Sequence, residues 1–269
     1  MVLIERDKRL LQALQSYAIL TTRQLAAMIF PGIAITTVLR RLRVLEEGGY
    51  IQRIEGLRST ERAWGVSERT ANTDQEIPAK VHFPRHSLDH DLKLTDLRIR
   101  LEGQGIALSW IPEHEVRAKV ARAHGLREAQ RKVIPDGIAG VEVDGVKESI
   151  AVELELNFKN SRRYWQIFQD YQTKKNLYAV WYVAASKGIG RHLEKAYKQC
   201  YPSGHPFLFW SVLDEVMRDP IAATIHCAGE TFPVEEIFAR KALGPAHPPA
   251  QGVSSPEPNS WSEILEPTA

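Results

Sequence analysis

The chain has 269 residues, a hydrophobic fraction of 43% and a formal charge of +2, which is enough for one large domain or two ordinary ones. Its two cysteines, Cys200 and Cys227, are far apart and in no CxxC arrangement, which excludes a disulfide framework or a cysteine-based zinc site and points to a reduced, intracellular protein. No apolar run approaches the roughly 18 residues of a bilayer span, and the charged, amphipathic N-terminus lacks a signal-peptide core, so a cytoplasmic protein with no membrane partner is expected. The near-neutral charge is unevenly spread: residues 1–70 carry eleven Lys/Arg against seven Asp/Glu, and residues 221–269 carry two against six.

The segment ERDKRLLQALQSYAIL places Leu10, Leu14 and Tyr17 at helical spacing. TTRQLAAMIF opens with Thr21 followed three residues later by Gln24, a capping-box pattern that predicts a second helix. After Pro31 and Gly32, TTVLRRLRVLEEGG supplies Thr36 as the expected N-cap, an apolar face of Val38, Leu42 and Leu45, and Gly48 and Gly49 as the stop. YIQRI and RAWGV then read as short strands joined by EGLRSTE, whose Gly and charges suit a hairpin tip. Three helices and a hairpin resemble a winged helix-turn-helix, and LRRLRVLEEGGYIQRI is similar to the end of a bacterial recognition helix entering its wing. The resemblance covers about a quarter of the chain, residues 1–70. It implies a helix that enters the major groove of double-stranded DNA, with Thr37, Arg40, Arg41 and Arg43 as its contacts and Arg58 and Arg62 on the wing. A solvated basic face, or a winged helix used for protein contacts, is the alternative.

Residues 71–84 lack a sustained period and contain turn-formers, so they read as a linker to a second domain over residues 85–240. HSLDHDLKLTDLRIRLEGQG predicts a helix stopped by Gly103, LSWIPEHEVRA a strand, and RAHGLREAQRK a basic excursion. IPDGIAGVEVDGVKESIAVELELN, residues 134–157, predicts a hairpin turning at Asp144-Gly145. If Val143 pairs with Val146, then Glu142 faces Lys147 and Asp136 faces Glu153. Side-chain alternation then puts Asp136, Glu153 and Glu155 on one, polar face, and Val141, Ile150, Val152, Leu154 and Leu156 on the other, core-side face. Opposed acids are destabilising unless one is protonated or a cation lies between them, and oxygen-only ligation suits Mg²⁺ or Mn²⁺. NSRRYWQIFQDYQTKKN, capped by Asn160, predicts the next helix, and LYAVWYVAAS a buried strand. SKGIGR lacks the spacing of a phosphate-binding loop and reads as a turn, while His86 and His90 read as packing or capping residues rather than zinc ligands. PFLFWSVL reads as a strand, ATIHCAGETFPVEEIF as a hairpin or strand-helix extension, and residues 241–269 as a Pro-rich, disordered tail.

The order helix, three strands, helix, strand, with PDG and ELE on the hairpin, resembles the αβββαβ core of the restriction-endonuclease-like PD-(D/E)xK nucleases. The overall fold class expected is therefore α/β, a winged helix-turn-helix followed by a nuclease-like domain. The resemblance implies Asp136, Glu153 and Glu155 as metal ligands and, with Lys159, as catalytic residues. Glu155 stands where that family has lysine, as in restriction enzymes of the ExE form; Lys159 lies beyond the strand. Gln169, Lys174 or Lys175 are candidate substitutes for the positive group, and Glu102 and Glu115 candidate extra ligands. The two domains in this order, with HSLDHDLKLTDLRIRLE, IPDG, VELELN and a Tyr-rich helix, resemble the replication-relaxation family of plasmid mobilisation and relaxosome accessory proteins. That resemblance implies a DNA-binding protein of a plasmid or mobile element acting in replication, relaxation, mobilisation or transcription, with a relaxase or similar partner and a homodimer allowed. A metal-dependent endonuclease targeted by its winged helix is the alternative, and a pure protein-interaction module ranks last.

Overall fold

The structure, a computed structural model, describes residues 2–57, 61–71, 79–174, 176–201 and 207–238. Arg58, Lys175 and the 241–269 tail lie outside the described residues. The chain divides into two compact units, Met1–Thr95 and Asp96–Ala269.

The first unit comprises α1 (Glu5–Tyr17), β1 (Leu20–Thr21), α2 (Thr22–Ile29), α3 (Ile35–Glu47), β2 (Ile51–Ile54), β3 (Ala63–Val66) and α4 (Glu68–Ala71). Its three strands form an antiparallel sheet in the order β1-β3-β2. The expected capping box is present: the Gln24 N–H donates to Thr21 Oγ1 at 3.2 Å and the Thr21 N–H to Gln24 Oε1 at 2.6 Å. Helix α3 starts one residue before the expected Thr36 cap, with Ala34 as N-cap. The Ala34 carbonyl accepts from the N–H groups of Thr37 and Val38 at 2.9 and 3.2 Å, so Thr36 falls inside the first turn, exposed beside Thr37. The helix ends as expected. Gly49, at φ 73°, lets the Tyr50 N–H reach the Leu45 carbonyl and its own N–H the Glu46 carbonyl, both at 2.9 Å, a Schellman termination that only a left-handed residue permits. Leu10 and Leu14 of α1, Leu25 of α2, and Val38, Leu42 and Leu45 of α3 are buried with Trp64 and Val66 of β3. The Trp64 indole N–H donates to Thr22 Oγ1 at 3.0 Å.

One ion pair ties α3 to α1. Asp7 is completely buried and accepts from the Ile4 N–H at 2.9 Å, from Arg41 Nε at 2.8 Å and from Arg41 Nη2. Burial works to raise the Asp7 pKa, but the Arg41 and Ile4 hydrogen bonds and the Arg41 charge outweigh it and hold the carboxyl below its ordinary value. Arg41 is therefore spent on the fold.

In the second unit α5 (Leu88–Gly103), which begins before the division, leads to β4 (Ser109–Pro112), α6 (Glu113–His124) and α7 (Leu126–Arg131). Next come β5 (Gly137–Val143), β6 (Val146–Glu155), α8 (Ser161–Gln172), β7 (Ala179–Ala184), α9 (Lys187–Cys200) and β8 (Leu208–Val212). Helix α10 (Leu213–Arg218), β9 (Thr224–Cys227), β10 (Glu230–Pro233) and α11 (Val234–Ile237) complete the described residues. The strands form one mixed sheet of seven, ordered β10-β9-β8-β7-β6-β5-β4, parallel across β6-β7-β8 and antiparallel elsewhere. The protein is thus mixed α/β.

Three local expectations change. The run expected as one strand, LSWIPEHEVRA, is strand only to Pro112; Glu113 then opens α6, whose Val116 and Val120 are buried and whose Glu113–Arg117 and Glu115–Lys119 pairs are spaced i,i+4. The basic excursion is the end of α6 and α7. SKGIGR is the start of α9 rather than a turn: Ser186 Oγ accepts the Ile189 N–H at 3.3 Å, and a Cβ on Gly190 would lie 2.1 Å from the Trp210 ring. That glycine is there for close packing, not for a loop.

Breaking the Asp7 contact tests its weight. Arg41→Ala leaves a carboxylate buried without its cation, so it is expected to lower the unfolding free energy by about 3 kcal/mol, whereas Arg40→Ala changes it by less than about 0.5 kcal/mol. Urea denaturation of the two variants compares them directly. Because the Asp7 pKa is lowered on folding, its contribution is present above the ordinary carboxylate range and is lost as pH falls through the folded-state value.

Candidate functional site

Two places carry candidate chemistry. In the first unit, Thr37, Arg40 and Arg43 are exposed on α3, opposite the buried Val38, Leu42 and Leu45 stripe. Neither arginine has an ion-pair partner among the described residues. Arg41, expected beside them, points instead to Asp7. Arg62, directly before β3 in the connection from β2, is partly buried, and its carbonyl accepts from the Thr22 N–H at 2.9 Å.

In the second unit the hairpin register matches the expected one residue for residue, from Val143↔Val146 through Glu142↔Lys147 to Gly137↔Val152. Asp136 therefore stands one step further on, opposite Glu153. Asp144 and Gly145 turn at φ 51° and 79°, the two positive values that a tight hairpin of this kind needs. The glycine of PDG also has a reason: a Cβ on Gly137 would lie 2.2 Å from the Trp110 ring.

The face carrying the acids is not an open polar face. Ile138 and Ala151, which share it, are buried against Tyr164, Ile167, Phe168 and Tyr171 of α8 and Leu193 of α9, while Val152 and Trp181 on the other face are equally buried. Parallel strands joined by crossover helices are covered, and the acids are covered with them. Each carboxylate has a protein donor. Asp136 Oδ2 accepts the Leu154 N–H at 2.8 Å, Glu153 Oε1 accepts the Tyr171 hydroxyl, and Glu155, only 3% exposed, pairs with Lys159 Nζ. All four expected site residues are thus gathered at one end of the hairpin.

The other candidates are placed elsewhere. Lys174 is buried, donating to the Val133 carbonyl at 3.1 Å and to Asp170; burial lowers its pKa despite the Asp170 pairing. Gln169 donates to the Tyr201 hydroxyl at 3.1 Å. Glu102 pairs with Arg98, and Glu115, on α6 rather than on a strand, pairs with Lys119. At least one oxygen of each carboxylate is engaged by a protein donor, and among the described residues no group of three or more His, Cys, Asp or Glu side chains has the geometry to hold a metal ion.

The sequence profile of one family, Replication-relaxation, matches residues 11–180. The chain belongs to the replication-relaxation family. The matched span runs from α1 into β7 and so contains both α3 and the acid hairpin. Comparisons with curated proteins and with solved structures gave no match. Membership in the replication-relaxation family points to a role in replication, relaxation or mobilisation. Among the described residues no helix is long and apolar enough to cross a membrane.

Two features escaped the sequence reading. Asp7 carries no local signal of its long-range partner, Arg41. The other is an exposed basic and aromatic surface on α8 and α9, for which the signal was available: residues 157–201 hold nine Lys/Arg against two Asp/Glu.

The Asp136 charge facing Glu153 disfavours its ionisation. Burial, and then the neighbouring Asp136 charge, push the Glu153 pKa from 4.5 up to about 8, although the Tyr171 hydrogen bond works to lower it. Burial and the Glu153 charge push the Tyr171 hydroxyl well above its ordinary value, so it stays a donor. The Tyr182 hydroxyl, buried with no hydrogen-bond partner among the described residues, is raised by burial and by the Glu153 and Glu155 charges. A raised folded-state pKa means that the native state binds the extra proton, so stability is greatest below pH 4.5 as far as this group is concerned and falls as pH rises towards 8. Glu153→Gln is expected to flatten that slope and to raise the denaturation midpoint above pH 8. Unfolding followed from pH 5 to 9 measures it.

Proposed function

We propose that the chain is a DNA-binding protein of a plasmid or mobile element, acting in replication, relaxation, mobilisation or transcription, which grips double-stranded DNA through α3. The observation that carries this is the division of α3 into a buried stripe and an outward side bearing Thr37, Arg40 and Arg43. Helices α1 to α3 followed by the β2-β3 hairpin, with β1 closing the sheet, support a winged helix-turn-helix reading. In that reading Arg40 and Arg43 meet phosphates and base edges in the major groove, and Arg62 flanks them from the wing.

The second unit supports a PD-(D/E)xK-like reading, because α5, β4, β5, β6, α8 and β7 follow the αβββαβ order with α6 and α7 inserted. Its acids, engaged by Leu154, Tyr171 and Lys159, favour a scaffold over a cutter. A relaxase or other mobilisation protein, and a second copy of the chain, are partners compatible with this role. One observation favours the second reading, an active Mg²⁺- or Mn²⁺-dependent nuclease of the ExE kind: Lys159, absent from the strand position, returns to Glu155.

Incubation with supercoiled and linear DNA, with and without Mg²⁺ or Mn²⁺, separates the readings. Salt-sensitive binding without cutting is expected; metal-dependent cutting lost in an Asp136→Ala, Glu153→Ala double variant would establish the nuclease. The groove assignment has its own test. An Arg40→Ala, Arg43→Ala variant is expected to bind duplex DNA at least about tenfold more weakly and to reduce the salt slope by about 2, and unchanged affinity at fixed salt would refute the role of α3.

A further inference from the structure

The layer formed by α8 and α9 has an outer surface that the proposed duplex contact does not use. Both helices are crossovers in the parallel β6-β7-β8 array and lie on the same face of the sheet, so their N-terminal ends emerge at the same edge. The loop between β6 and α8 rests on the start of α9. The Phe158 ring meets the His192 ring edge-on at 5.5 Å, the Lys159 carbonyl lies 3.0 Å from His192 Nε2, and a Cβ on Gly188 would be 3.7 Å from Phe158.

Around this junction the surface is basic and aromatic. Arg162, Arg163, Lys187 and Arg191 are exposed, and neither arginine of α8 has an ion-pair partner among the described residues. Neither helix has an acid in its first turn, so both dipoles add positive potential at the same edge. Phe158 is 63% exposed and Trp165 50%. The core side of α8 is filled by Tyr164, Ile167, Phe168 and Tyr171, so Trp165 adds nothing to it. It stands one helical turn from Arg162, on the same outward side.

We propose that this edge of the second unit, Phe158, Arg162, Arg163, Trp165, Lys187 and Arg191, binds single-stranded DNA. The charge is complementary to a phosphate backbone, and exposed ring faces beside cations are what unpaired bases stack on, whereas a duplex keeps its base faces to itself. The contact is separate from the α3 assignment in position and in the form of DNA it takes, so either stands if the other fails.

The full-length protein is titrated into fluorescein-labelled oligo-dT and into a labelled duplex of equal length, at fixed salt, with anisotropy as the readout. Trp165→Ala is expected to weaken oligo-dT binding about tenfold, within the range of one lost stacking contact, with Trp165→Phe retaining most of it and duplex affinity unchanged. Phe158→Ala is expected to act in the same direction, and Arg162→Glu with Arg191→Glu to reduce the salt slope. These side chains are exposed, so thermal midpoints should match the parent protein. The proposal is overturned if the parent does not bind oligo-dT, if Trp165→Ala leaves that affinity unchanged, if both DNA forms weaken equally, or if Arg40→Ala, Arg43→Ala alone abolishes oligo-dT binding. Equal weakening would mark a general polyanion or acidic-protein surface.

Discussion

The constraint on which the second unit depends is the tight turn at Asp144-Gly145. Two residues in the left-handed region fix which pairs face each other across β5 and β6, and a slip of one residue would exchange every side chain between the two faces. With the register held, Asp136 and Glu153 cannot avoid each other, Ile138 and Ala151 must be covered, and the covering helices must come from the crossovers that follow β6 and β7. Tyr171 and Lys159 then arrive at the acids as a consequence, because both lie in the first such crossover. The acid cluster is thus a product of topology as much as of composition.

The first unit has an analogous constraint in a single ion pair. Asp7 is buried at the start of α1, and Arg41 reaches it from α3, 34 residues later in the chain. A buried carboxylate is tolerated only where its oxygens are satisfied, and here the Ile4 N–H and a two-pronged guanidinium contact satisfy them. The pair acts with the buried Val38, Leu42 and Leu45 stripe in orienting α3. Together they select which arginines face outward.

This explains what could and could not be read in the sequence. The hairpin, its register and the shared side of Asp136, Glu153 and Glu155 follow from a local turn and strict alternation, and all were legible. So were the Thr21 capping box, the Gly49 stop and the Asn160 cap, each decided within a few residues. Arg40, Arg41 and Arg43 could not be sorted, because the group that claims Arg41 lies on another helix. Helix α6 was missed although Val116 and Val120 have helical spacing, because β4 runs straight into it at Pro112–Glu113 with no intervening loop. The glycines of SKGIGR suggested a turn, since nothing local reveals that Gly190 makes room for Trp210. Burial of the acid face was likewise invisible: alternation tells which side chains share a face, but not that both faces will be covered.

The charge layering of the second unit joins these points to function. A surface that attracts phosphates cannot lie over bare carboxylates without losing much of its potential. Here Glu155 is buried and paired with Lys159, and burial together with the Asp136 charge raises the Glu153 pKa and so disfavours its anion. The negative charge that Glu153 and Glu155 would set against the edge where Arg162, Lys187 and Arg191 emerge is thereby reduced.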